Sequence, residues 1–481
     1  MVKTYLEKRE CYNYPTDEAF FSPHIKYPEY PFSVDTISSQ PNEVYDMIRN
    51  SLYGLGLDAE NFGNGNWNPL GYYVKQGAKI LIKPNWVNHV NPVGGLDCTV
   101  THPSIIRCIV DYCVIAGANI IEIGDAPIQS CKFDFLMEQF GYNILFDFLR
   151  KKGINILVTD FRVKITKRIL KRILLQKKNP NIDKDKLIEF DLKEHSFFSN
   201  IDKQRYRIGD YDDHLLNLRH NNNSHKYLLH KSGFESDLII NLPKPKTHRF
   251  AGITAAQKNF IGICSDKEYL PHYRIGAPDF GGDETDKSTV FGKIISELNQ
   301  RRYKAVGNQN IPLQLFYGGI QYVVYGLKKI FFNDQYINGL WHGNDTIWRT
   351  TLDINLILRY GNIDGSINFN SLPRNILSIG DLIIGGENAG PIKSSPKPMG
   401  VILLSDNCAI FDYVFCKMIK FDYNQIPTVK NSICNNLLFN YSLDKHKVKS
   451  NVDFFNNVSL NDIIFPDEWG FIPNPMWNKV L

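Results

Sequence analysis

Between residues 79 and 158 short aliphatic runs alternate with segments of helical apolar spacing, and this rhythm constrains the fold more than any other feature. Lys79-Ile-Leu-Ile-Lys83, Asn119-Ile-Ile-Glu-Ile123 and Ile154–Val158 read as strands. Ser104–Ala116, stopped by Gly117, and Phe133–Lys152, stopped near Gly153, read as helices. Strand–helix–strand–helix–strand implies parallel pairing with right-handed crossovers. A second alternating region, about 346–435, predicts a helix at Leu352–Tyr360, a short strand or turn at Asn375–Ile379, a strand at Met399–Ser405 and a helix at Ala409–Ile419. The expected fold is α/β: two lobes with mainly parallel sheets flanked by helices, and a cleft between them.

At 481 residues the chain exceeds the size at which one core usually stops growing. The expected division is an N-terminal wrap (1–70, one helix near Pro41–Leu55), a first lobe (71–300, with an insertion at 161–230), a connector (301–345), a second lobe (346–435) and an aromatic, Pro-rich tail (436–481). The net charge of +5 is unevenly spread. Arg162–Lys178 carries eight basic residues and no acid, with Ile165, Ile169, Leu170 and Ile173 at helical spacing, so it predicts an amphipathic basic helix. Its polar face is either simply solvated or touches an anionic surface; lacking interleaved aromatics, it is a poor nucleic-acid binder.

Where a strand ends and cations begin, α/β proteins place ligands. After the strand around Leu238-Ile-Ile comes Asn241-Leu-Pro-Lys-Pro-Lys-Thr-His-Arg-Phe-Ala-Gly252, continuing to Lys258-Asn259 and Gly262. The prolines fix the backbone around the lysines, and Gly252 and Gly262 permit close approach to a ligand. Three more loops follow strands: Lys83-Pro-Asn-Trp-Val-Asn88, Gly124-Asp-Ala-Pro127 and Ser405-Asp-Asn407. Thr101 or His102 is the expected N-cap of the Ser104–Ala116 helix, with Pro103 in its first turn. Parallel strands put such loops on one sheet edge, so Lys83, Asn85, His102, Asp125, Lys244, Lys246 and His248 are expected to converge. With Lys258 that is an excess of ammonium groups over one carboxylate, Asp125, which a small anion would relieve. His102 and His248 are the natural proton carriers near neutral pH.

Several classes are disfavoured. No G-x-G-x-x-G follows a strand, and no P-loop or G-x-S-x-G elbow occurs. The nine cysteines form no C-x-x-C pair, and their scatter suits a reducing cytoplasm. The longest uncharged stretch, Ala305–Leu327, is interrupted by amides and a proline, which argues against a membrane span. Carboxylates at Asp381, Glu387, Asp406 and Asp412, and at Asp279, Asp283 and Glu284, either hold a divalent metal or cap turns and helices.

The series Lys83-Pro-Asn85, Thr101-His-Pro103, Gly124-Asp125, Lys244-x-Lys-Thr-His248 and Lys258-Asn-x-x-Gly262 resembles the domain-of-unknown-function 362 family. So do Ile379-Gly-Asp…Gly-Pro391, Gly400–Asp406 and Phe411-Asp412; the match spans about 75–430. Some members of that family carry ferredoxin-type cysteine clusters, and this chain has no such motif. His248-x9-Lys258 is distantly similar to the active-site segment of the nickel-pincer lactate racemase family. There the histidine is an acid/base and the lysine holds the cofactor, and His102 matches a second catalytic histidine. Arg274, with His272 nearby, stands where that family's nickel ligand is expected.

Together these readings describe a cytoplasmic, isomerase- or racemase-like enzyme acting by acid/base chemistry on a small carboxylate- or phosphate-bearing molecule. His248, His102 and Lys258 are its expected catalytic residues, and Lys83, Asn85, Asp125, Lys244, Lys246 and Asn259 bind substrate. The cofactor stays open, nickel or another divalent metal included, and so does the oligomeric state. The competing readings are a scaffold contacting an acidic partner and a redox accessory protein with a metal centre.

Overall fold

A computed structural model describes residues 3–169, 173–201, 205–331 and 337–481. A mainly parallel eleven-stranded sheet, flanked by helices, organises it. From one edge to the other, the path runs Val458–Ser459, Lys447–Ser450, Thr4–Lys8, Lys393–Ser405, Ile376–Ala389, Leu238–Leu242, Lys79–Pro84, Ile120–Asp125 and Ile156–Asp160. Two short strands, Lys246–His248 and Gly252–Thr254, pair with each other, and the first also pairs with the far end of Ile376–Ala389. Strands from both expected lobes, the N-terminal wrap and the tail thus share one sheet, and Leu238–Leu242 lies directly against Ile376–Ala389.

The aliphatic runs are continuous because both faces of the sheet are covered. Ile80 and Ile82 enter one core and Leu81 the other; Leu238 and Ile240 oppose Ile239 in the same way, as do Ile402 and Leu404 against Leu403. Alternate side chains of one strand therefore feed two separate apolar layers.

Three segments depart from expectation. The Phe133–Lys152 helix is two, Phe133–Gln139 and Tyr142–Lys151, broken at Gly141, whose φ of +77° suits glycine. Within 301–345, expected to be a connector, residues 311–331 form the second arm of a helical hairpin, Val290–Gly307 and Ile311–Phe331. The basic helix expected at Arg162–Lys178 is an antiparallel hairpin of Lys164–Ile169 and Ile173–Lys178, in register from Lys164 opposite Lys178 to Ile169 opposite Ile173. Leu170 lies outside the described residues. Spacing was misleading here because tertiary contacts decided the outcome: the Gln314 amide takes the Leu174 N–H at 2.9 Å and reaches the Leu174 carbonyl at 3.3 Å. That side chain occupies the place of a neighbouring strand.

No helix among the described residues is long and apolar enough to cross a membrane. All nine cysteines are free, eight of them buried.

Candidate functional site

The loops leaving the carboxyl ends of Lys79–Pro84, Ile120–Asp125 and Leu238–Leu242 meet around a cavity of about 470 Å³. Six of the nine residues singled out from sequence line it: Asn85, Asp125, Lys246, His248, Lys258 and Asn259. Lys83, Lys244 and His102 do not.

The lysines divide into two groups. Lys83 is fully buried with Nζ 2.6 Å from Asp125 Oδ1, and also donates to the Pro84 carbonyl at 2.7 Å. Lys244 lies 3.1 Å from Asp381 Oδ1 and donates to the Tyr14 hydroxyl. Lys246 gives its three protons to Asn85 Oδ1 (2.6 Å), the Thr99 carbonyl (2.7 Å) and the Lys244 carbonyl (3.1 Å). The expected count of four lysines against one carboxylate is thereby corrected: Asp381 is a second counter-ion, and three of the four ammonium groups are engaged within the protein. Among the described residues only Lys258 has neither an ion pair nor a hydrogen bond to its ammonium group; Lys246, also without an ion pair, is satisfied by its three neutral acceptors. Burial, with Lys267 nearby, depresses its pKa to about 7.

Two cations missed from sequence join it in the cavity wall. Lys267 is buried, and its nearest acceptor is the Ala126 carbonyl at 3.3 Å. Arg249 has a buried Nε with no hydrogen-bond partner. Neither forms an ion pair with the described residues, and burial lowers the pKa of both. Arg249 stands inside the loop read as decisive, but nothing in its spacing separates it from a solvated arginine. Lys267 follows Asp266, whose carboxylate caps the short Lys267–Tyr269 turn through the Glu268 N–H at 3.0 Å. It reads as an ordinary turn lysine until the fold buries it.

The histidines have defined tautomers. His248 Nδ1 accepts the N–H groups of Phe250 (3.1 Å) and Ala251 (3.3 Å), so the neutral ring carries its proton on Nε2. His272, also in the cavity wall, donates from Nδ1 to the Leu270 carbonyl at 2.9 Å, leaving Nε2 as the lone-pair nitrogen. Both are held neutral. Burial is the main cause, and the neighbouring Lys258 and Arg249 add to it, bringing His272 to about 3. One wall therefore offers an imidazole donor and an imidazole acceptor.

His102 sits elsewhere. It caps the Pro103–Ile115 helix through Nδ1, which accepts from Ser104 N at 3.2 Å, and its ring stacks on Tyr14 at 4.0 Å. Its backbone N–H donates to Asp381 at 3.0 Å.

Amides hold the frame. Lys246 reaches Asn85, whose Nδ2 donates to Asn259 Oδ1 at 2.7 Å; Asn259 Nδ2 donates to Asn241 Oδ1 at 2.8 Å and to the Lys83 carbonyl at 3.1 Å. Asp412 accepts the N–H groups of Ala256 (2.6 Å) and Gln257 (3.2 Å), at the start of the Ala256–Asn259 turn of helix that carries Lys258. Burial pushes its pKa to about 8 despite those two bonds. Gly262 serves a role other than the expected approach to a ligand: a Cβ there would lie 1.8 Å from Asp125 Oδ1 and 2.8 Å from Lys83 Nζ. A Cβ on Gly252 would meet Ile426 at 2.4 Å and Trp477 at 3.1 Å. Both glycines make room for protein.

Six of the seven carboxylates considered as metal donors have protein partners: beside Asp381 and Asp412, Asp406 accepts from Lys3 N, Glu387 from Ile472 N, Asp283 from Thr346, and Glu284 from Arg207. Among the described residues no group of three or more His, Cys, Asp or Glu side chains is arranged to hold a metal ion.

Fold and site together define an α/β protein with a cationic cavity at the carboxyl ends of its parallel strands. It belongs to the family described as Domain of unknown function (DUF362), whose sequence profile matches residues 80–196 and 193–417. No curated protein matches the chain. A structural-genomics crystal structure of a Thermotoga maritima protein aligns with 74% of this chain at 10% identity and a TM-score of 0.29; the alignment spans 54% of that protein's length.

Proposed function

We propose that the cavity binds a small carboxylate- or phosphate-bearing molecule and performs isomerase-like proton transfer on it. The observation carrying this reading is the set of three cations, Lys258, Lys267 and Arg249, facing one cavity without a carboxylate partner among the described residues. Uncompensated buried charge is costly, and a bound anion removes that cost. Lys258, Lys267 and Arg249 hold the anion; His248 donates from Nε2 to an oxygen that gains charge, and His272 Nε2 accepts a proton once the anion raises its basicity. Lys83, Asp125, Lys246, Asn85 and Asn259 keep the loops in register, and Lys244 with His102 anchors the wall behind them.

The pH dependence follows in sign. Lys258 is ammonium below about pH 7 and neutral above it in the empty site, so anion affinity rises as pH falls through 7. Calorimetric titration with inorganic phosphate and with glycolate at pH 6 and pH 8 checks this. Lys258→Met is expected to weaken binding on the order of 10- to 100-fold at pH 6 and far less at pH 8, the loss of one charged hydrogen bond. Exchange of substrate C–H for solvent deuterium, followed by NMR across small hydroxy acids, sugar acids and sugar phosphates, reads the chemistry. His248→Gln is expected to slow it at least about 100-fold. Phosphate and glycolate affinities that ignore both pH and the Lys258 substitution would sink the reading.

A further inference from the structure

The Ile311–Phe331 helix is inverted with respect to an ordinary surface helix. Its glutamines point inward: Gln314 is fully buried against Leu174 and Ala305, and Gln321, 5% exposed, donates to Asn299 at 2.6 Å. Its aliphatic and aromatic residues point out. Phe316 is 60% exposed, Val323 58%, and Leu313, Leu315 and Leu327 each more than 40%. Residues 311–327 contain no Asp, Glu, Lys or Arg. Isolated surface hydrophobes need no explanation, but a contiguous charge-free face over several turns does.

The strand beside this helix supplies the second observation. Ile173–Lys178 is tied to the helix through Gln314 and, just before the helix starts, through Gln309 Nε2 to the Gln176 carbonyl at 3.1 Å. The hairpin containing that strand exposes Lys167, Lys177 and Lys178, none of which forms an ion pair with the described residues. An apolar face bordered by positive charge complements a surface that is negative outside and apolar beneath.

We infer that the helical hairpin docks this protein on an anionic lipid bilayer, with the Ile311–Phe331 helix lying in the interface and the basic hairpin meeting the headgroups. A second copy is the weaker occupant, since a two-fold contact across this face would bring like-charged rims together. The helix lies on the membrane rather than across it, for its two buried glutamines are already satisfied inside the protein. Arg168 and Leu174 of the same hairpin also line the cationic cavity, so docking would hold that cavity beside the headgroups.

Co-sedimentation of the full chain with vesicles tests this. Binding is expected to vesicles of phosphatidylcholine with 30 mol% phosphatidylglycerol (about 30%, a typical anionic content) and to be at least tenfold weaker to phosphatidylcholine alone, because juxtamembrane lysines each contribute on the order of fivefold. Phe316→Glu with Val323→Glu, and separately Lys177→Glu with Lys178→Glu, are expected to abolish it, with circular dichroism unchanged. Phe316→Trp gives a readout independent of those variants: its fluorescence should shift to the blue and be quenched by brominated acyl chains in anionic vesicles. Absence of binding to either vesicle, equal binding to both, or a wild-type dimer that Phe316→Glu with Val323→Glu converts to monomer would overturn the inference.

Discussion

At the scale of single residues, the candidate site depends on space as much as on charge. Gly262 lets Asp125 and Lys83 meet at 2.6 Å, and a methyl group there overlaps Asp125 Oδ1. Gly262→Ala is expected to lower stability by roughly 1–3 kcal/mol as the pair is pushed apart, measured as a shift in the denaturation midpoint; a change below about 0.5 kcal/mol would show that the loop shifts freely. The residues of this site were partly legible in the sequence. Strand ends followed by lysine, asparagine and histidine located the right loops, because topology fixes which loop ends gather. Which lysine keeps its ammonium group unsatisfied at the cavity was not legible. That depends on three-dimensional partners, Asp381 for Lys244 and three acceptors for Lys246, that no local pattern announces.

Among elements, the one-turn Ala256–Asn259 helix is too short to be stable alone, and Asp412 of the Cys408–Met418 helix receives its first N–H groups. The raised Asp412 pKa has a thermodynamic consequence. The folded protein holds this proton more tightly than the unfolded chain does, so its contribution is fully present below about pH 4 and is lost as pH rises through about 8. Asp412→Asn removes the titration. The stability difference, wild type minus variant, should therefore fall with rising pH between 5 and 8, on the order of 1 kcal/mol per pH unit. Urea denaturation at three pH values checks it, and a pH-independent difference would refute the assignment. Asp353, raised to about 7, acts in the same direction but is common to both proteins and cancels. Strands and helices of the alternating region were legible because their burial is periodic along the chain. The Lys164–Lys178 hairpin was not, since its pattern fits a helix and its edge is satisfied by a glutamine about 140 residues away.

The whole molecule is organised on one central sheet to which distant segments contribute. Tyr14, Lys244, His102 and Asp381 meet around a single carboxylate, joining the N-terminal wrap to both alternating regions. Asp381→Asn leaves Lys244 buried without its counter-ion, and a loss of about 3–5 kcal/mol is expected. Calorimetric melting should show it as one cooperative transition at lower temperature; separate transitions would mean that the two regions fold independently. The central strands were readable in advance, but the participation of the first and last segments was not, because Thr4–Lys8 and Lys447–Ser450 interleave charged and polar residues and carry no aliphatic run.

The pairing of those two strands has a consequence for synthesis. Tyr5 lies opposite Lys449 and Thr4 opposite Ser405, so the first strand waits for partners made some 400 residues later. At typical elongation rates of about 5–20 residues per second, the nascent chain carries that edge unsatisfied for tens of seconds while it emerges from the ribosome. Chaperone demand should accordingly be greatest until the partner strand Lys393–Ser405 has been translated.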